Sequence, residues 1–321
     1  MKNLADSVLA RLRNFAKARN LIYNEVLMRY VLERIFYRVG ASEHAGKLIL
    51  KGGNLFVFWQ NGFDFRPTMD ADMLFRGASS PERLKEIFTE ICMDESVDDG
   101  VRIDIKSIKA EQILEETEYG GIRITFNACI GQTRTPVQID IGVGDAVTPA
   151  ARKAEYPTLL DFPAPSIRMY PPETVIAEKF EALVKRGILT SRMKDIYDIW
   201  KLKSLFEFDG KVLGEAIFKT FKRRNRTIPV NPPVIFTPEF HESKLKQKQW
   251  TAFLRKSRLD VGDKSLSDII AEIAEFLMPL LKKCRSSDIW VFSRGHLELW
   301  DNIHGWRILS FVAKQSYTRI R

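Results

Sequence analysis

The chain has 321 residues, of which 45% are hydrophobic, with 50 Lys and Arg against 41 Asp and Glu for a formal charge of +9. That length gives one large or two medium domains with enough apolar material for a core. No run of eighteen apolar residues and no apolar leader follow Met1, and Cys92, Cys129 and Cys284 stand far apart, so membrane, secreted, disulfide-stapled and cysteine-zinc classes are set aside and a cytoplasmic protein is expected.

Residues 1–160 hold 21 basic and 22 acidic residues, whereas residues 161–321 hold 29 and 19. The second half, at +10, therefore suits contact with a polyanion, and the first half carries something else. In chain order, apolar residues recur at helical spacing from Val26 to Phe36, and Gly40 follows as a stop. Leu48–Leu50 reads as a short buried strand ended by Gly52 and Gly53, and the apolar run from Leu55 to Trp59 opens a helix. Residues 68–75 alternate, and Pro81 begins a helix to Cys92. Period-two alternation then marks three strands around residues 101–105, 122–126 and 137–141. A proline-rich stretch (Pro149 to Pro172) places a boundary near residue 165. Helices follow over 172–186, after a Ser191 cap, and over 211–224, 243–256 and 265–282. The expected class is α+β: a mixed sheet with flanking helices in 1–165, a helical domain in 166–283, and an extension of no assigned role in 284–321.

The sharpest chemical feature is acidic. Asp70 and Asp72 sit two apart on one polar strand face, and Asp140 takes a similar place in Val137-Gln-Ile-Asp-Ile. Each stands between apolar neighbours, where an unpaired carboxylate is costly to bury and a metal ion removes the cost. Oxygen-only ligands suit Mg²⁺, which keeps waters and lets substrate phosphates complete its octahedron. Upstream, the Lys51-Gly52-Gly53-Asn54 turn permits close backbone approach at a helix start, where exposed amides favour phosphate. Alone, each signal also fits a solvated strand face or a plain tight turn; their order along the chain is what makes them informative.

Leu50-Lys-Gly-Gly-Asn-Leu, Arg66-Pro-Thr-Met-Asp-Ala-Asp-Met, Val137-Gln-Ile-Asp-Ile-Gly-Val-Gly-Asp, Tyr170-Pro-Pro-Glu-Thr-Val-Ile-Ala-Glu-Lys-Phe and Ser191-Arg-Met-Lys-Asp-Ile-Tyr-Asp-Ile together resemble the AbiEii family of nucleotidyltransferase toxins, to which the MenA-type toxins are related, within the DNA polymerase beta-like superfamily. The resemblance runs from about residue 8 to 282. It implies transfer of a nucleoside monophosphate from an NTP, with Mg²⁺ or Mn²⁺, to the 3′ acceptor end of tRNA, blocking translation. It also implies pairing with an antitoxin in bacterial, often phage-defence, systems. By motif position Asp70 and Asp72 hold metal, with Asp140 beside them, and Gly52 and Gly53 cradle the triphosphate. Lys51, Asn54 and Arg66 complete the nucleotide-binding set, although relatives commonly carry Thr or Ser where Asn54 stands. Lys179 and Asp195 are the family's lysine and aspartate on two successive helices.

Lys179 edges an apolar stripe, where a lysine either snorkels or faces negative charge. Asp195, about one helical turn away across an antiparallel pair, accepts a hydroxyl proton, orients Lys179 or complements its helix's N-terminus. Lys222, Arg223, Arg224 and Arg226, with Phe218 and Phe221, form a candidate RNA surface, and Arg255, Lys256 and Arg258 beside Trp250 form a second. Two other readings stay open: a protein or small-molecule acceptor, and a non-catalytic RNA-binding module.

Overall fold

The structure, a computed structural model, describes residues 4–60, 68–93, 97–113 and 120–285. Arg66 and nearly all of the 284–321 segment lie outside them. The chain divides into two compact units, one of residues up to Asp145 with Ala150–Tyr170, the other of Ala146–Pro149 with the chain from Pro171 onward.

The first unit is built on strands β1 (Leu48–Lys51), β2 (Ala71–Phe75), β3 (Arg102–Gln112), β4 (Ile122–Ile130), β5 (Thr133–Val143), β6 (Arg152–Glu155) and β7 (Ser166–Met169). They form one mixed sheet in the order β3-β4-β5-β2-β1-β7-β6. β2 runs parallel to β5, and β1 parallel to β7. The other neighbours are antiparallel. Period-two alternation puts Ile124, Phe126, Val137, Ile139 and Ile141 into the core and turns Arg123, Thr125, Gln138 and Asp140 to the opposite face. Helices α1 (Leu4–Ala18), α2 (Tyr23–Ala41), α3 (Asn54–Trp59) and α4 (Pro81–Cys92) complete the unit. The Ser80 hydroxyl caps α4 by accepting from the Arg83 amide, with Pro81 at the first helical position.

α2 is buried nearly all round, and its charged residues are therefore paired. Arg38 donates to both carboxylate oxygens of Asp99 at 2.8 and 3.2 Å, and Arg34 donates to the Pro163 carbonyl. Glu33 accepts from the Leu159 amide at 2.8 Å and pairs with Arg34. Burial outweighs these partners and pushes its carboxyl up to about 7.

The second unit contains α5 (Pro172–Arg186), α6 (Met193–Leu205), α7 (Gly210–Arg223), α8 (Pro238–His241), α9 (Lys244–Ser257) and α10 (Leu266–Arg285). Their apolar stripes meet in a core that includes Ile176, Phe180, Ile196, Ile199, Leu213 and Ile217. No helix among the described residues is long and apolar enough to cross a membrane.

Three sequence expectations change. The division falls after Tyr170, not near residue 165, because Ser166–Met169 is a strand of the sheet. Arg192, not Ser191, occupies the cap position of α6, and the Thr190 hydroxyl accepts from the Arg192 amide. Phe221 and Trp250 are 1% and 3% exposed, so they are core side chains and not platforms for stacking bases.

Candidate active site

The register of three strands decides where the acids go. Lys51 on β1 lies opposite Asp72 on β2, and Asp72 lies opposite Asp140 on β5. Asp140 in turn lies opposite Arg123 on β4, which lies opposite Glu111 on β3. Paired residues share a face, so a row of alternating and adjacent charges, Lys51–Asp72–Asp140–Arg123–Glu111, crosses the outer side of the sheet. Two neighbouring carboxylates at its middle repel one another unless cations attend them.

The glycine bend meets this row. Gly52 has φ +73, and a Cβ added there would lie 2.0 Å from Asp72 Oδ2, so only glycine lets the backbone pass the carboxylate so closely. Gly53 has right-handed helical angles and precedes the first residue of α3. Asp70 ends the turn before β2, exposed to solvent, and its Oδ1 accepts from the Thr68 hydroxyl at 3.0 Å. Asn54 is buried, and its side-chain amide donates to the Asp70 carbonyl at 2.8 Å. There it braces the backbone of Asp70.

Asp140 departs from the simple three-ligand picture. Both its oxygens accept from Arg123, at 2.8 and 2.9 Å, and the Gln138 amide joins the pair. Among the described residues, the acidic or histidine trio whose ligand atoms all fall within 4.8 Å is Glu43, His44 and Glu90; Asp70, Asp72 and Asp140 do not close to that spacing. In the Glu43–His44–Glu90 group, a buried His44 Nε2 lies 2.6 Å from Glu90 Oε2 and 3.6 Å from Glu43. Lys51 is likewise engaged: its ammonium lies 2.8 Å from Asp145 and 5.5 Å from the Tyr170 ring centre.

The second unit assembles its own charge cluster. Lys179 on α5 lies 2.7 Å from Asp195 and 2.9 Å from Asp198 on α6, with both aspartates fully buried. Arg192 also pairs with Asp195. Burial would raise the Asp195 carboxyl, but Lys179 and then Arg192 outweigh it and hold it down to about 2. For Lys179, the two aspartates outweigh burial and raise its pKa. Asp195 is thus in direct contact with the Lys179 ammonium.

A family model described as "Nucleotidyl transferase AbiEii toxin, Type IV TA system" matches residues 34–272. The chain belongs to the AbiEii nucleotidyltransferase toxin family. No curated protein sequence matches it. Among solved structures, JHP933 of Helicobacter pylori is similar at 11% identity and a TM-score of 0.46, over 84% of this chain and 97% of that one. A second H. pylori protein, provisionally named a nucleotidyltransferase, is 12% identical with a TM-score of 0.45, over 86% and 100%. Membership of the AbiEii family supports an enzyme that uses an NTP and has an antitoxin as counterpart.

The expected RNA surface divides. Arg224 pairs with Glu181 at 2.5 Å and Arg226 with the same carboxylate at 2.9 Å, so both are drawn into neutralising a buried acid. Lys222 is exposed beside the Phe218 ring, and Arg223 is partly exposed. Arg123, Asp145 and Asp198 were given no role by the sequence reading. Asp198 had a local signal, three residues after Asp195 on the same helix face; the partners of Arg123 and Asp145 follow only from strand order.

Proposed function

We propose that this AbiEii-family chain transfers a nucleoside monophosphate from an NTP to the 3′ acceptor end of tRNA, blocking translation, and that a cognate antitoxin restrains it. The observation that carries the reading is Asp72 placed in register with Asp140 while Gly52 packs against its carboxylate. Asp70 and Asp72 fit a hard divalent cation: they offer oxygen donors only, and too few to complete an octahedron without water and phosphate. A bound Mg²⁺ or Mn²⁺ supplies positive charge for the phosphate oxygens and for the attacking hydroxyl. Asp140 serves as a third carboxylate whose charge Arg123 balances. Gly52 and Gly53 leave room for the β- and γ-phosphates against the backbone, with Lys51 behind them. Lys179 acts as a cation for phosphate, and Asp195 and Asp198 hold it in place. Lys222 and Arg223 add sequence-blind contacts to RNA phosphates.

The chemistry balances simply. The acceptor oxygen bonds to the α-phosphorus, the bond from that phosphorus to the bridging oxygen breaks, pyrophosphate leaves with the electron pair, and the hydroxyl proton passes to water. Incubating total RNA and the purified chain with each α-labelled NTP and Mg²⁺ tests the reading. Label at tRNA size, lost in Asp70→Ala, is the expected result. Label on protein instead would shift the acceptor class, and no label with any NTP would overturn the proposal.

A further inference from the structure

Beside Asp70 lies a cavity of about 590 Å³, lined by Met28 of α2 and the core-side Phe126 and Val137 as well as by side chains of the opposite sheet face. It forms where β5 extends past the start of β2: Ala71 pairs with Ile139, so the β5 residues before Ile139 have no β2 partner. Its walls include Asp70, Met69, Thr125, Asn127 and Gln138, with Lys109 at the rim. The volume lies in the range of small-ligand sites. Its chemistry is that of a nucleotide: carboxamides match the donor and acceptor edges of a base, an exposed Met69 thioether offers a soft apolar surface, and an ammonium suits a phosphate. The Asn127 amide nitrogen of the backbone is fixed by the Ser107 hydroxyl at 2.9 Å. Among the described residues, the side chains of Lys109, Thr125 and Asn127 have no hydrogen-bonding partner.

Direction identifies the occupant. The glycine bend stands on the β1 side of Asp72, whereas the cavity stands on the β5, β4 and β3 side of Asp70. In an in-line displacement the attacking and leaving oxygens lie on opposite sides of the phosphorus. With pyrophosphate toward the bend, the nucleophile arrives from the cavity.

We infer that this cavity is the acceptor subsite, holding the unpaired 3′-terminal nucleotide of the RNA with its base edge against Thr125, Asn127 and Gln138 and a backbone phosphate on Lys109. This rests on the transfer reaction proposed above. The decisive experiment is steady-state kinetics of Asn127→Ala and Lys109→Gln with acceptor RNA and NTP varied separately. Asn127→Ala is expected to raise KM for the acceptor about tenfold while kcat and the KM for NTP stay within about twofold. Lys109→Gln is expected to reduce the salt slope of RNA binding by about one, unlike Lys153→Ala on the far strand β6. An unchanged acceptor KM, or a raised KM for NTP in its place, overturns the inference. Circular dichroism and the melting temperature of Asn127→Ala and Lys109→Gln, expected to match wild type, guard against misfolding. Should the chain transfer nothing to RNA, the reaction reading fails on its own. Fluorescence anisotropy of a short single-stranded RNA then still decides the subsite: about tenfold weaker binding by Asn127→Ala supports it, and equal binding sinks it.

Discussion

A single missing methyl group separates the glycine bend from Asp72. Gly52→Ala would force a Cβ into a position 2.0 Å from the carboxylate oxygen at a φ of +73, so either the bend or the acid must move. The expected cost is about 1–3 kcal/mol of stability from backbone strain, with loss of nucleotidyl transfer because Asp72 is displaced. Gly53, with φ −65 and ψ −30, carries no positive-φ strain, and Gly53→Ala is expected to cost less than Gly52→Ala. Urea denaturation and the labelled-NTP assay on both variants check the contrast; equal behaviour would mean that the bend is not what holds Asp72. The Asp-x-Asp and the glycine pair were legible in the sequence because each is a local pattern. What attends the acids was not. Arg123 reaches Asp140 from the next strand, and Asp145 takes up Lys51; both partnerships follow from strand order, which no local spacing reveals. The same limit hid the common partner of Arg224 and Arg226, Glu181 on another helix.

Elements with a strong period are legible in the sequence, as are the short β1 and α3 beside the glycine pair, but β6 and β7 are not. α4 and α5 have caps or prolines where a helix should start and apolar stripes at helical spacing, β4 and β5 alternate along their length, and β3 does so until its register shifts between Asp104 and Lys109. β6 and β7 are four residues each, set among prolines, and alternation over so few positions carries little signal. They matter nonetheless, since β7 joins β1 and fixes where the first unit ends. In the α5–α6 pair the antiparallel expectation brought Lys179 and Asp195 close, and contact at 2.7 Å is tighter than the turn of helix anticipated. Removing the cation leaves Asp195 and Asp198 buried, with Arg192 paired to Asp195. Lys179→Met is therefore expected to cost about 3–5 kcal/mol, as for other buried pairs broken from one side. A double variant with Asp198→Asn should recover part of that loss, since one uncompensated charge is gone. Thermal denaturation of wild type, Lys179→Met, Asp198→Asn and the double variant tests this, and an additive double variant would show that the two residues do not interact.

At the scale of the whole molecule, two buried carboxyls bend stability in opposite directions with pH. Asp195 is held down to about 2 against an ordinary value of 3.8, so its contribution is fully present above the unfolded pKa and disappears as pH falls from about 4 to 2. The amount, at 1.36 kcal/mol per unit, is about 2 kcal/mol. Glu33 is the reverse case, because burial raises it from 4.5 to about 7. The folded chain then binds a proton more readily than the unfolded one, and stability is lost as pH climbs from about 4.5 through 7, by up to about 3 kcal/mol. The two windows meet near pH 4–5, where the chain should melt at its highest temperature, well below the pH of physiological work. Melting temperatures at pH 3, 5 and 8 give the profile. Glu33→Gln removes the charge while keeping an acceptor for the Leu159 amide, so it should flatten the neutral side and leave the acid side unchanged. A wild-type chain equally stable at pH 5 and 8 would mean that Arg34 and Arg29 offset the burial of Glu33 and hold its carboxylate charged in the folded core.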